Sequence, residues 1–321
     1  MQRSATIGVA LWGAGEHAQR NLLPALVRCP GINLRGLYTL VPDDAARLAA
    51  TYGIRNYATP AEMLADADVQ AVYVSTWTSA HAACGQDVLA AGKHLWCDKP
   101  LAASWPEWQA LIQQARARNL AAVEGMMFPF HAQFQALQRH LAAGTIGALR
   151  SITARFGFPH LPAANFRTQR ARGGGALRDA AVYPLTAARL LLGPVRDVHA
   201  HIETEPGFDV DTGGSALLRS ATGVHGLIEW GFGRAYRNEI EVWGERGVIA
   251  VDRAFSKPPD LETSLRLRLQ TGETRQEIIP PCNHFSAMLE AFARAVQGGD
   301  LEPYRQAAWE QGELLSRIGL S

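Results

Sequence analysis

Gly13-Ala14-Gly15-Glu16-His17-Ala18 follows directly on the apolar run Ile7-Gly8-Val9-Ala10-Leu11-Trp12. A strand that feeds a glycine turn and then a helix makes a cradle for a nucleotide phosphate. Gly13 permits the tight turn, Gly15 lets backbone N–H groups approach a pyrophosphate, and Ala18 keeps the helix close to the sheet. Ala14, Glu16 and His17 complete the turn and open the helix, so Gly13 to His17 are all expected at a bound dinucleotide. In a chain with 30 glycines such a hexad also arises by chance, and the rest of the sequence has to support it.

Working outward, short apolar runs alternate with helical stretches from Ile7 to Ala122, the pattern of a doubly wound parallel sheet with crossover helices. The runs are Ile7 to Trp12, Leu34 to Leu40, Ala71 to Ser75, His94 to Cys97 and Leu120 to Val123. Between them lie alanine-rich segments, Asp44 to Tyr52 and His81 to Ala91, each ending near a glycine (Gly53, Gly92) as a helix C-terminus prefers. After Gly147 the rhythm changes to alternating segments joined by glycine turns: Ser215 to Ser220 with Val224 to Trp230, Glu239 to Trp243 with Val248 to Val251, and Leu265 to Leu269 with Arg275 to Ile279. These are hairpin signatures and predict an open, mainly antiparallel sheet. Helical patterns span Phe134 to Ala143, Ala180 to Leu192, His284 to Val296 and Gln306 to Ile318. The expected class is therefore α/β, with residues 1–123 as a dinucleotide-binding domain and residues 124–321 as a second α/β domain whose last helix packs back on the first.

Composition narrows the function. The 321 residues are 47% apolar and 19% charged, ordinary for a folded two-domain protein. Basic side chains number 31 against 30 acidic, a net charge of +1, which gives no field for attracting nucleic acid or an anionic membrane surface. Cys29, Cys84, Cys97 and Cys282 form neither a CxxC pair nor a zinc-like spacing, so they read as reduced thiols, with no metal expected. No stretch has the length and apolarity of a bilayer span, and the expected location is cytoplasmic.

Two further segments carry chemistry. Ala90 to Pro100 ends an apolar strand in Asp98-Lys99-Pro100. In an open α/β sheet ligands sit outside the carboxyl ends of the strands, which aims Lys99 at the same crevice as the glycine turn. An exposed loop pair is the plainer reading of Asp98 and Lys99. Farther on, Gly173-Gly174-Gly175 precedes a helical run with Asp179 and Tyr183 at i and i+4, presenting a carboxylate and a phenol on one face. A phenol beside an ammonium is a stronger acid and suits proton transfer; the plainer reading is a half-buried tyrosine with a satisfied hydroxyl.

The glycine turn, the strand ending in Asp98-Lys99-Pro100 and the run Gly173 to Tyr183 together resemble the glucose-fructose oxidoreductase, inositol dehydrogenase and MocA (Gfo/Idh/MocA) family over nearly the whole chain. Ser75-Thr76-Trp77-Thr78-Ser79-Ala80-His81 occupies the place of the family's STPNxxH, and Ala90 to Pro100 is similar to its AGKHVxxEKP. Phe156-Gly157-Phe158-Pro159, Asn165-Phe166-Arg167 and Tyr183-Pro184 are most similar to the sugar-nucleotide 3-ketoreductase and dihydrodiol dehydrogenase branch. The resemblance implies a Rossmann domain, then an α/β domain whose open sheet shapes the substrate pocket and joins subunits into a dimer or tetramer. It also implies a nicotinamide cofactor and a sugar-like substrate. Carried over, Lys99 stands near the nicotinamide ribose and the reacting oxygen, Tyr183 donates or accepts the proton, Asp179 orients the substrate, and Thr76, His81 and Asp98 line the cofactor. Arg167 reaches a phosphate or the substrate, unless it is a surface arginine.

The chain departs from the family pattern at Asp98, where glutamate is usual, at Trp77 and Thr78 in place of Pro and Asn, at Pro129 where many members have arginine, and at Thr168 where the branch has tyrosine. The second strand ends in Leu37-Tyr38-Thr39-Leu40-Val41. Leu40 holds the position at which an acid would bind an NAD ribose or a Ser-Arg pair an NADP phosphate. With no carboxylate to repel a 2′-phosphate, the cofactor is read as NADP or NAD with a lean to NADP. Three functions fit: an NAD(P)-dependent oxidoreductase acting on a secondary alcohol or ketone of a sugar, nucleotide sugar or cyclic polyol; a non-catalytic or regulatory member that binds without turnover; and a non-redox enzyme, an epimerase or eliminase, that holds its cofactor tightly.

Overall fold

The computed structural model describes residues 6–162 and 164–320, which fall into two units. One runs to Gly125 and takes in Phe285–Gly312; the other comprises Met126–His284 and the segment from Glu313 on.

The first unit is built on a six-stranded parallel sheet of β1 (Ile7–Trp12), β2 (Ile32–Tyr38), β3 (Arg55–Asn56), β4 (Ala71–Val74), β5 (His94–Cys97) and β6 (Ala122–Glu124), in the order β3-β2-β1-β4-β5-β6. Every residue of β1 and β4 is buried, because a parallel sheet carries helices on both faces, and this is why these strands read as unbroken apolar runs. The order reverses between β1 and β4, so the crevice for a ligand opens at their carboxyl ends. Local sequence punctuates the crossover helices. Pro42 opens Pro42–Tyr52 and Gly53 closes it in the left-handed region at φ 64°; Thr59 accepts from Glu62 N at the start of Pro60–Ala65; Ser104 and Glu107 form a capping box on Trp105–Ala117. The unit also holds His284–Gly298 from Phe285 on and the first turns of Glu302–Ile318. There Trp108, wholly buried, donates through Nε1 to Ala308 O.

The second unit is an eight-stranded mixed sheet of β7 (Leu149–Phe158), β8 (Val195–Glu203), β9 (Gly213–Ser220), β10 (His225–Phe232), β11 (Arg237–Gly244), β12 (Gly247–Asp252), β13 (Thr263–Leu269) and β14 (Thr274–Ile279). Its order is β14-β13-β12-β11-β7-β10-β9-β8, antiparallel except for β7 beside β10. Side chains alternate across it. Ile152, Ala154, Leu218, Ile228, Ile240 and Val242 are buried on the face that packs against Ala132–Ala142 and Val182–Leu192. Leu217, Leu227, Trp243 and Ile278 stand exposed on the other. The same outer face carries Arg155 between Glu229 and Glu239, each one strand away.

The α/β class and its parallel-then-antiparallel order are those expected from the sequence. Among the described residues no helix is long and apolar enough to cross a membrane, and no cluster of His, Cys, Asp or Glu is arranged to hold a metal ion.

Candidate active site

In the first unit Gly13 sits at φ +95°, and its N donates to Tyr38 O at 2.8 Å. A Cβ there would lie 2.4 Å from Ser75 O, so the turn is pinned between β2 and β4 by the absence of a side chain. A Cβ on Gly15 would meet nothing within 4 Å: this is the open side of the turn, where a phosphate can reach backbone. Residues 16–28 are helical, with a π turn at Ala18–Leu22, and the first N–H groups of a helix have no partner within it. Ala14 and Ala18 are buried beneath. Glu16 pairs with Arg20, and His17 lies against Phe285 with its Nδ1 3.3 Å from Asn21 Nδ2. Those side chains lie along the helix and leave the backbone to the ligand, so this cradle fits a dinucleotide pyrophosphate.

Asp98 and Lys99 follow β5. The Asp98 carboxylate is held by two hydroxyls of the neighbouring strand end, accepting from Tyr73 Oη at 2.9 Å and from Ser75 Oγ. Gly125 makes this possible, since a Cβ there would stand 2.3 Å from Tyr73 Oη. Aspartate in place of the usual glutamate thus has a local rationale: the short arm matches hydroxyls one strand away. Nothing local in the sequence marks Tyr73 or Ser75 for this contact, which depends on strand pairing. Lys99 is half-buried beyond, and the Lys99–Pro100 peptide is cis.

His81 is 1% exposed. Its Nδ1 lies 2.8 Å from Pro100 O and its Nε2 3.3 Å from Thr76 O. A neutral imidazole donates through one nitrogen only, and the shorter contact puts the proton on Nδ1. Burial pushes its basicity below the ordinary value. So placed, His81 ties together the loops that carry Thr76 and Lys99. Thr76 is half-buried and Trp77 46% exposed at this edge, while Leu40, past the end of β2, is 78% exposed.

In the second unit the glycine run shapes a turn that only glycine allows. A Cβ on Gly174 would lie 2.5 Å from Arg167 O, and one on Gly175, at φ +120°, 2.3 Å from Asp211 Oδ1. Asp211 then caps the helix: Leu177 N donates to its Oδ2 at 2.6 Å and Ala176 N to its O at 2.9 Å. Burial raises the Asp211 pKa above the usual carboxylate range. The helix opens with a π turn at Leu177–Ala181, which carries Asp179, and continues as Val182–Leu192, which carries Tyr183. Asp179, 9% exposed, pairs through Oδ2 with Arg167 Nε at 2.8 Å, and Arg167 lies over the Phe166 ring at 4.6 Å. Tyr183, 6% exposed, has its ring among Phe156, Phe255 and Phe128 at 5.0, 5.9 and 6.5 Å.

Behind Phe255 lies a second group with no signal in the sequence. Lys257, buried, donates to Gln133 Oε1 at 2.9 Å and Ala254 O at 3.0 Å, and burial brings its pKa down to about 7. Gln133 Nε2 donates to Asp252 O and Ser264 O, which locks the connection that carries Phe255. His131, wholly buried, accepts from Gln133 N, and burial and the Lys257 charge lower its pKa to about 4.

Residues 7–126 match the family model of an oxidoreductase family with an NAD-binding Rossmann fold, and residues 134–250 match the GFO/IDH/MocA C-terminal domain. The chain belongs to the GFO/IDH/MocA oxidoreductase family. A dTDP-3,4-didehydro-2,6-dideoxy-alpha-D-glucose 3-reductase from Saccharopolyspora spinosa is 33% identical over 314 residues, 98% of this chain and 94% of that protein. A D-xylose 1-dehydrogenase (NADP(+)) from Haloferax volcanii is 29% identical over 80% of this chain and 79% of its own length. Among solved structures, a 3-ketoreductase from Actinomadura kijaniata in complex with NADP and TDP-benzene superposes with a TM-score of 0.91 at 32% identity, covering 98% of this chain and 97% of that one. The resemblance read from the sequence, branch included, agrees with these relatives.

Proposed function

We propose that this oxidoreductase uses NADP to interconvert a ketone and a secondary alcohol on the sugar of a nucleoside diphosphate sugar. The carrying observation is the match to a nucleotide-sugar ketoreductase over 98% of the chain, and the glycine cradle open at Gly15 supports it. The first domain, residues 1–123, holds the dinucleotide, and the second, residues 124–321, holds the substrate. When bound, the nicotinamide supplies or accepts hydride. Tyr183 Oη moves the hydroxyl proton, and Lys99 Nζ favours the negative charge that develops on the carbonyl oxygen. Asp179 holds Arg167, the cation that meets a substrate hydroxyl or phosphate. Gly13, Ala14, Gly15, Glu16 and His17 bind the pyrophosphate through their backbone, and Thr76 and Asp98 shape the nicotinamide end. The test is NADPH consumption against a panel of keto nucleotide sugars and free ketoses. Stoichiometric oxidation with a nucleotide sugar is expected, and binding of NADPH with no oxidation by any ketone would favour a non-catalytic role.

The exposed sheet face of Leu217, Leu227, Trp243 and Ile278 is read as the surface through which copies associate into a dimer or tetramer in the cytoplasm. Apolar side chains set among a paired Arg155–Glu229–Glu239 row suit such a contact. Leu227→Glu, which places a charge at its centre, is expected to convert an oligomer to monomer in light scattering behind size exclusion. An unchanged mass would remove this face from the account.

A further inference from the structure

NADP differs from NAD by a phosphate on the 2′-oxygen of the adenosine ribose. In a doubly wound sheet that ribose lies past the carboxyl end of the strand that neighbours the glycine turn, which here is β2. The three residues beyond its end, Thr39, Leu40 and Val41, carry no charge, and the helix that follows opens with two acids, Asp43 and Asp44. The strand end therefore offers a 2′-phosphate no cation.

Arg47, one turn farther along that helix, is linked to the glycine turn. Its Nη2 donates to Gln19 Oε1 at 2.8 Å and to Asp44 Oδ1 at 2.6 Å. Gln19 in turn donates through Nε2 to Ala14 O at 2.8 Å. Ala14, Gln19 and Arg47 thus form one chain of hydrogen bonds from the turn to the guanidinium. Among the described residues none engages Arg47 Nε or Nη1, and the side chain is 54% exposed. The other nearby cations are committed elsewhere: Arg20 pairs with Glu16 on its own helix, Arg35 with Asp68, and Arg55 with Glu62 and Asp66.

We propose that Arg47 recognises the 2′-phosphate and sets the preference of this chain for NADP over NAD. The inference rests on the dinucleotide reading given above and names the residue that decides between its two forms. A guanidinium presents a planar fork that fits phosphate oxygens. The Gln19 bridge holds that fork beside the turn before ligand arrives, so less side-chain freedom is lost on binding. Asp44 works the other way, since its carboxylate shares the guanidinium and repels a second anion.

Titrating the purified full chain with NADPH and NADH by nicotinamide fluorescence separates the inference from the reading beneath it. Wild-type protein is expected to bind NADPH more tightly than NADH; binding of neither would overturn both. Arg47→Ala is expected to weaken NADPH by about 10- to 100-fold and NADH by less than about twofold, the loss of a charged hydrogen-bonding pair. Asp44→Asn is expected to tighten NADPH selectively. Equal weakening of both dinucleotides by Arg47→Ala, or no change in either, would overturn the assignment. Leu40→Arg in the Arg47→Ala protein checks that the site itself is intact: it places a cation at the strand end and is expected to restore NADPH binding.

Discussion

Replacing Tyr183 by phenylalanine is expected to lower kcat by roughly 100- to 10,000-fold, the usual worth of a positioned proton donor. Only the phenolic oxygen is removed. The ring stays packed among Phe128, Phe156 and Phe255, so the helix Val182–Leu192 keeps its seat and the variant folds. The glycine cradle lies in the other unit, and NADPH affinity is expected to hold within about twofold, because an interaction made only in the transition state leaves ground-state binding alone. Steady-state kcat and KM with a fluorescence titration of the same sample separate the two quantities. A variant with wild-type kcat would take the proton-transfer role away from Tyr183. Loss of dinucleotide binding in step with kcat would show a structural role instead.

Acid is expected to destabilise the second unit in two stages, through two buried bases that meet at Gln133. His131 has a folded pKa of about 4 against an ordinary 6.5. Between those values the unfolded chain binds a proton that the folded chain refuses, so stability falls as pH drops from 6.5 to 4, by about 3 kcal/mol in all. Lys257 has a folded pKa of about 7 against an ordinary 10.5. Its contribution is complete above pH 10.5 and is lost as pH falls through that window to 7, at a cost on the order of 5 kcal/mol. Among the described residues its hydrogen bonds go to neutral oxygens and no carboxylate offsets the buried charge. Lys257→Met removes that burden but leaves Gln133 Oε1 unpaired, which costs about 1–3 kcal/mol. At neutral pH the variant is therefore expected to melt higher than wild type, and its Tm should no longer rise between pH 7 and 10. Differential scanning calorimetry across pH reads both effects. Parallel pH profiles for the two proteins would mean that Lys257 keeps its charge at no cost.

What the sequence reveals of this fold follows from how each strand is held. β1, β4 and β5 are buried on both faces and read as apolar runs whose position is clear to within a residue or two. The pairs β9–β10, β11–β12 and β13–β14 are hairpins closed by short glycine turns, and local chemistry announces them. β7 belongs to no hairpin. It lies between β10 and β11, parallel to the first and antiparallel to the second, and its partners are more than 60 residues away by chain position, so nothing local marks it. The short β3 and the outer β8 escape for the same want of a turn signal.

The site divides in a similar way. Glycines that backbone geometry demands, Gly13, Gly174 and Gly175, are legible because no other residue fits. The partners that hold the functional groups are not. Asp211 caps Leu177 from 34 residues away, and Lys257 reaches Gln133 from 124. Asp98 shows both sides. Its place after β5 is readable, whereas the Tyr73 and Ser75 hydroxyls that engage it depend on strand pairing. The carbonyls that His81 meets, Pro100 O and Thr76 O, likewise depend on how the loops fold back and have no local signal.

Hydride transfer itself is tested most directly by incubating the protein with NADPH deuterated at the reactive face of C4 and a keto nucleotide sugar, then weighing the product by mass spectrometry. A single deuterium is expected on the former carbonyl carbon, with one NADP⁺ formed for each sugar reduced. A product free of deuterium with the cofactor unconsumed, or unchanged sugar in a sample shown to bind NADPH, would contradict the account.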